Sequence, residues 1–238
     1  MGASFMLDAF RNPSLLGALV GIASGLLWSL AYVLIILRAR KDKDYGMPFA
    51  AMCFNVIWEL IYTFVFPAPG EGFQKWIALL VNFIWFALDV VIVITWLLYW
   101  RADSPPGLKP KWHLPSLAVG LVSALAVLLG IQYQFNNPSC VGANVPNGGV
   151  SSFLQNLMMS ALFIAMALRR NSMSGQSLGI ALSKLLGSLL ASTYFYFWVL
   201  VGPGELTFYW VALFVLIFFY DSIYTVLLLR MRGKPLMA

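Results

Sequence analysis

Four ionisable side chains stand inside long apolar stretches of this chain: Glu59, Asp89, Lys184 and Asp221. Glu59 occupies Asn55-Val-Ile-Trp58-Glu59-Leu-Ile-Tyr62, in a stretch closed by Pro67 and Pro69. On a helix, Asn55 and Glu59 are i and i+4 and Tyr62 follows at i+7, so an amide, an acid and a phenol share one face. An ionisable group at the centre of a bilayer costs at least about 2.5–3.5 kcal/mol; such groups turn to a bundle interior or wet cavity and are read as functional. Counted from the ends that carry the basic loops, Glu59 lies about 12 residues in, Asp89 about 11, and Lys184 and Asp221 about 9; at about 1.5 Å per residue all four fall within roughly 5 Å of one level. The expectation is one shared cavity. The competing structural reading is an ion pair, Lys184 with Asp221, that locks the sixth helix to the seventh. For Glu59 it is a hydrogen-bonded acid that ties helices together.

Aromatic residues sit close to these groups in sequence. Trp58 precedes Glu59, Trp85 is at i−4 from Asp89, Phe218 at i−3 from Asp221 and Tyr224 at i+3. Rings in membrane helices more often pack or face lipid, but on the face of an acid their π systems can stabilise a cation that has no water around it. Trp76, Trp100 and Trp112 are placed as an interfacial belt. Other chemistries lack their residues. Asp42 and Asp44 stand in a basic loop and are expected to be solvated, so no acidic cluster is available to hold Mg²⁺ against a diphosphate. There is no glycine-rich phosphate loop. The single histidine, His113, lies at a membrane border, which argues against a His-based zinc site or triad. Cys53 and Cys140 offer neither a disulfide framework nor metal-ligand spacing. What remains is metal-free and cofactor-free acid chemistry in an aromatic cavity: proton donation to a lipid-like molecule.

The elements that must position these residues are membrane helices. Of 238 residues, 61% are hydrophobic and 10% charged, with a mean hydropathy of +0.83; a soluble domain carries about 25% charged residues. Seven apolar runs are long enough to span, at 14–37, 47–66, 76–99, 115–134, 149–168, 176–200 and 206–229. The first is too long for a signal-peptide core and is read as a retained helix. The linkers hold the Pro, Gly and Asn residues, as in Ser104-Pro105-Pro106-Gly107 and Pro146-Asn147-Gly148-Gly149. Basic residues alternate with the helices. Arg38, Arg40, Lys41, Lys43, Arg101, Lys109, Lys111, Arg169, Arg170, Arg230, Arg232 and Lys234 fall on one side, and only Arg11 and Lys75 on the other. The positive-inside rule then predicts an outside N-terminus and a cytosolic C-terminus. It also assigns the net charge of +6 to loops rather than to nucleic-acid binding. The expected fold is an all-α membrane protein, a single domain over 1–238 with seven transmembrane helices. The two halves do not match closely enough to read as a three-plus-three repeat.

Taken in order, Asn55-x-x-Trp58-Glu59-x-x-Tyr62 with Pro67, Gln155-Asn156-Leu-Met-Met-Ser160, Gly175-Gln176-Ser177 with Lys184, and Asp221-x-x-Tyr224 carry a resemblance over nearly the whole chain. The pattern resembles the integral-membrane terpene cyclases of meroterpenoid and indole-diterpene biosynthesis, the pyripyropene and paxilline cyclase type. The resemblance implies two essential acids, which map onto Glu59 and Asp221. It implies a substrate with a farnesyl or geranylgeranyl chain on an aromatic or polyketide head, often with a terminal epoxide. Asn55, Trp58, Tyr62, Trp85, Asp89, Lys184, Phe218 and Tyr224 are then the expected lining of the substrate site. One acid would protonate the epoxide or terminal alkene, and the cation would run along the folded prenyl chain until a base or water ended the cascade. An ammonium beside an acid favours the ionised acid, so Glu59 is the expected donor if Lys184 pairs with Asp221. The membrane would be the endoplasmic reticulum in a fungal source and the plasma membrane in a bacterial one. The alternative reading is a small seven-helix proton-coupled transporter with midplane acids as relays. A retinal-type photoreceptor is a third, although its lysine belongs on the last helix and Lys184 is on the sixth.

Overall fold

A backbone surrounded by lipid must satisfy its own hydrogen bonds, and a single apolar run does so as a helix. The computed structural model describes residues 15–67, 72–103, 109–135, 145, 147–200 and 207–232; Arg11, Cys140 and Lys234 lie outside them. Among the described residues seven long helices form and no strand. They are α1 (Leu15–Asp42), α2 (Phe49–Leu60), α3 (Gly72–Tyr99), α4 (His113–Phe135), α5 (Gly149–Arg170), α6 (Leu178–Tyr194) and α7 (Phe208–Arg230). Six are long and apolar enough to cross a membrane. The exception is α2, where a full span was expected. Its 12 α-helical residues continue into a five-residue π-helical segment, Ile61–Val65, between Pro48 at the N-cap and Pro67 just beyond. At about 1.5 Å per residue the two segments reach about 25 Å, short of the roughly 30 Å hydrocarbon core.

That short helix is packed by three others. α2 packs against α3, α4 and α5, while α1 runs along α6, and α7 lies against α5 and α6. Small residues let α1 and α6 approach closely, as is common where membrane helices must pack without a hydrophobic drive. Ser24 Oγ donates to the Gly187 carbonyl at 2.8 Å. A Cβ at Gly187 would stand 3.0 Å from the Trp28 ring. The main core joins Tyr32, Met52, Ile92, Phe163, Ile180 and Tyr224. A second, around Phe153, Leu200, Trp210 and Leu213, fills the other half.

One end of the bundle is tied by polar bonds. Arg170 pairs with Asp44 at 2.9 Å and donates to the carbonyls of Tyr45 and Ser174. Arg38 pairs with Asp42 at 2.6 Å, and Asp42 accepts from the Gly175 N–H at 2.8 Å. Asp42 and Asp44 are therefore not the solvated loop acids expected; the α1–α2 and α5–α6 turns converge, and each acid finds an arginine there. Gly175 is required in this joint, since it has φ +69° and a Cβ would meet the Tyr45 carbonyl oxygen at 2.5 Å. Ser177 then caps α6 by accepting from the Ile180 N–H at 3.2 Å. Trp76 and Trp112 are exposed as belt residues should be, but Trp100 is buried against His113 at 4.2 Å between ring centroids. With Trp96 at 4.5 Å, it holds the histidine ring between two indoles.

Candidate active site

A cavity of about 220 Å³ opens between α1, α2, α3, α5 and α6. Its apolar wall is aromatic: Trp28, Trp58, Trp85, Phe153 and Phe195. Its polar wall is Ser24, Tyr32, Asn55, Glu59, Ser152, Gln155 and Asn156. The rings are held by their polar edges, as buried indoles usually are. Trp58 Nε1 donates to Ser151 Oγ at 2.9 Å, and Trp85 Nε1 donates to Ser29 Oγ at 2.8 Å. Trp58 also lies 4.7 Å from the Tyr62 ring, and the Tyr62 hydroxyl donates to Gln132 Oε1 at 2.9 Å. Tyr62 is thus buried behind Trp58 rather than in the wall. Phe153 meets Phe195 edge-on at 4.7 Å.

The four intramembrane ionisable residues fall into two groups. Glu59 is 2% exposed and lines the cavity, and its Oε2 has no hydrogen-bond partner. Asp89 lies one residue deeper, behind Asn55. The Asn55 amide donates to Asp89 Oδ2 at 2.7 Å and to the Tyr32 hydroxyl, while its oxygen accepts from Gln155 Nε2 at 3.0 Å. All three of these bonds agree with one orientation of the amide, because a carboxylate can only accept.

Lys184 and Asp221 form the other group, outside the cavity wall. Lys184 Nζ stands 2.5 Å from Asp221 Oδ1. The ammonium also donates to Ser160 Oγ at 2.5 Å and to Asn156 Oδ1 at 3.3 Å. Its three hydrogens therefore have three acceptors. Both residues are sealed, at 2% and 0% exposure. The link to the cavity is indirect, through Asn156 and through the Trp28 ring, whose centroid is 5.6 Å from the ammonium. The aromatic partners expected for Asp221 do not join the cavity. Phe218 is 48% exposed and lines a separate groove with Ser188, Ser192 and Phe214. Tyr224 is fully buried and packs on Phe163 at 5.2 Å.

Sequence reasoning overlooked the contribution of α1. Trp28 and Tyr32 stand at i and i+4, the same spacing as Asn55 and Glu59, and their rings meet edge-on at 6.0 Å. That spacing was the available signal, but neither residue is ionisable and so neither stood out in an apolar run. The second π-helical segment, Phe195–Leu200 at the end of α6, was equally invisible, although π segments gather at functional sites. Among the described residues no group of three or more His, Cys, Asp or Glu side chains is placed to hold a metal ion.

Known proteins are similar to this chain in sequence. The chain is 30% identical to terpene cyclase macJ of Penicillium terrestre over 192 residues, covering 79% of this chain and 69% of that protein. It is 29% identical to the Pyr4-family terpene cyclase mfmH of Annulohypoxylon moriforme over 180 residues, 73% and 67% of the two chains. With terpene cyclase andB of Emericella variicolor the match is 25% identical over 226 residues, covering 92% of this chain and 89% of the other. A family model, Pyr4-like transmembrane terpene cyclases, matches residues 9–234. This chain therefore belongs to the Pyr4-like transmembrane terpene cyclases, a family of integral membrane enzymes.

Proposed function

We propose that the protein cyclises a prenyl chain, farnesyl or geranylgeranyl, carried on an aromatic or polyketide head, and that Glu59 is the proton donor that starts the reaction. The observation that carries this reading is the unpartnered carboxyl oxygen of Glu59 in the wall of an aromatic cavity. In the reaction Glu59, protonated, gives its proton to the oxygen of a terminal epoxide or to the terminal alkene. At an epoxide an oxygen lone pair takes the proton and the C–O bond breaks with its electron pair going to that oxygen; at an alkene the π pair forms the new C–H bond; in either case carbon becomes cationic. Neighbouring alkenes attack in turn, each forming a C–C bond and moving the cation along the chain. Loss of one proton to a base or to water ends the cascade and balances the proton taken up, so the product is an isomer of the substrate. The π faces of Trp28, Trp58 and Trp85 are placed to stabilise the cation without trapping it as a nucleophile would. Asn55 holds Asp89 behind Glu59, and Asp221 acts through Lys184 rather than by touching the prenyl chain.

The topology belongs to the same proposal, with the N-terminus outside and the C-terminus cytosolic. The bonds joining the α1–α2 turn to the α5–α6 turn, and Lys43 lying 5.7 Å from the Tyr99 ring at the end of α3, support one basic face. The membrane is the endoplasmic reticulum if the source is fungal and the plasma membrane if it is bacterial. The test uses membranes holding this chain as the sole added enzyme, fed a prenylated phenol with and without a terminal epoxide. A cyclised product of unchanged mass, absent with Glu59→Gln, is the expected result. Conversion by Glu59→Gln at the wild-type rate would remove Glu59 from the chemistry. Cysteines introduced at Lys43 and Asn147 are expected to react with an impermeant reagent from opposite sides.

A further inference from the structure

The cavity wall contains two amides that a purely hydrocarbon ligand would leave unsatisfied. Gln155 is 9% exposed and gives its Nε2 to Asn55, while its Oε1 is buried without a hydrogen-bond partner. A buried acceptor without a donor costs about 1–3 kcal/mol. Asn156, beside it, has the opposite need. Its Oδ1 accepts from Lys184 at 3.3 Å, and because an ammonium can only donate, the amide cannot be flipped. Its Nδ2 therefore faces away from the lysine and donates one hydrogen to Ser188 Oγ at 3.0 Å. No described hydrogen bond takes the second hydrogen, and the residue lines the cavity.

We infer that Gln155 and Asn156 recognise oxygen on the substrate: Asn156 donates to it, Gln155 accepts from a hydroxyl, and the Lys184–Asp221 pair positions the Asn156 amide. This rests on the cyclase reading for the kind of molecule that enters, but not for how it is held. It gives the sealed ion pair a role that needs no contact with substrate. The lysine fixes which end of the amide faces it, and Asp221 with Ser160 fixes the lysine. The recognised oxygen belongs either to the head group or to the terminal epoxide; both offer an acceptor to Asn156, and only a head-group hydroxyl also offers a donor to Gln155.

The test is equilibrium binding, read by tryptophan fluorescence of the full chain in nanodiscs. The probes are three chains that cannot cyclise because their prenyl part is saturated. One carries a phenol head, one a terminal epoxide alone, and one no oxygen. Asn156→Asp keeps the acceptor that faces Lys184 and removes both amide hydrogens; Asn156→Leu removes the amide altogether. Both are expected to bind the oxygen-bearing probe about 3- to 10-fold more weakly, the equivalent of one hydrogen bond, and the hydrocarbon as before. The probe that loses affinity identifies the source of the oxygen. Lys184→Met with Asp221→Leu is expected to lose the same selectivity, with no further loss when Asn156→Leu is added. Unchanged binding of every probe by Asn156→Asp would overturn the inference. So would an equal loss for all three, since that reports a deformed cavity. A wild-type chain that binds with this selectivity yet cyclises no prenyl substrate would remove the cyclase reading and leave the recognition standing.

Discussion

Glu59 and Asp221 are both nearly inaccessible acids on apolar helices, yet their surroundings differ. Asp221 has a lysine at 2.5 Å, and that lysine has filled its remaining hydrogens with Ser160 and Asn156. Glu59 has an unpartnered oxygen, aromatic neighbours and a cavity in front of it. Burial alone does not distinguish a reacting acid from a holding one. Each keeps one carboxyl oxygen without a hydrogen-bond partner, Glu59 Oε2 and Asp221 Oδ2; the distinction lies in what stands beside the acid, an ammonium or a cavity. A charge paired with a lysine has already made its strongest interaction, whereas a carboxyl outside any described ion pair, in the wall of a cavity, is available to a ligand.

The contrast breaks most directly at Glu59. Glu59→Gln keeps shape and polarity and is expected to reduce cyclisation by about 10²–10⁴, the usual worth of a positioned proton donor. Product formation in membranes, normalised to protein by immunoblot, measures it, and accumulation is expected to match the wild type. Asp221 should answer differently. Asp221→Leu alone strands a buried ammonium and is expected to destabilise the fold by about 3–5 kcal/mol, whereas Lys184→Met with Asp221→Leu is expected to be near neutral in stability. Thermal unfolding in detergent separates the two. Equal destabilisation by the single and double variants would show that the pair is not held by charge. A smaller effect is expected at Trp85. Trp85→Leu leaves the donor intact but removes a π face and frees Ser29. The total rate should fall by less than about tenfold, in line with a cation–π contribution of about 0.5–1 kcal/mol or somewhat more when desolvated, while the product ratio shifts toward early-quenched isomers in mass-resolved chromatography. Gly187→Ala sharpens the comparison most finely. The added Cβ, 3.0 Å from Trp28, moves a ring that lies between the ion pair and the cavity. Its mark is expected in the product ratio, with a change of less than about 1–3 kcal/mol in stability.

The sequence revealed helices well and direction poorly. Seven helices follow from run lengths. Which way a side chain turns does not, because in a membrane the lipid-facing and core-facing sides of a helix are both apolar and leave little periodic contrast. Phe218 and Trp58 are equally plausible as neighbours of an acid in sequence, yet Phe218 faces outward and Trp58 lines the cavity. The same blindness hid Trp28 and Tyr32 on α1. The pairing of Lys184 with Asp221 was available as one of two readings, since only contact geometry decides between a shared cavity and a sealed bond. Asp42 and Asp44 were misread for a different reason. Asp42 had its arginine within the same stretch, Arg38 at i−4, but a charged loop looks solvated until a second loop is known to fold onto it, and nothing local from Arg38 to Tyr45 announces the Arg170 that pairs with Asp44.

The short helix α2 has a consequence for where the enzyme can work. Bilayers differ in thickness between organelles and between hosts, and a helix in contact with lipid answers a mismatch by tilting or by deforming the bilayer. α2 lies against α3, α4 and α5, and from Ala51 through Thr63 none of its side chains is exposed. A thicker or thinner bilayer therefore acts mainly on the outer helices and meets this one only near its ends, at Ala50, Phe64 and Val65, away from the turn that bears Glu59. The acid itself is set back from the membrane that holds it, and the chain should keep its chemistry when moved from one lipid environment to another.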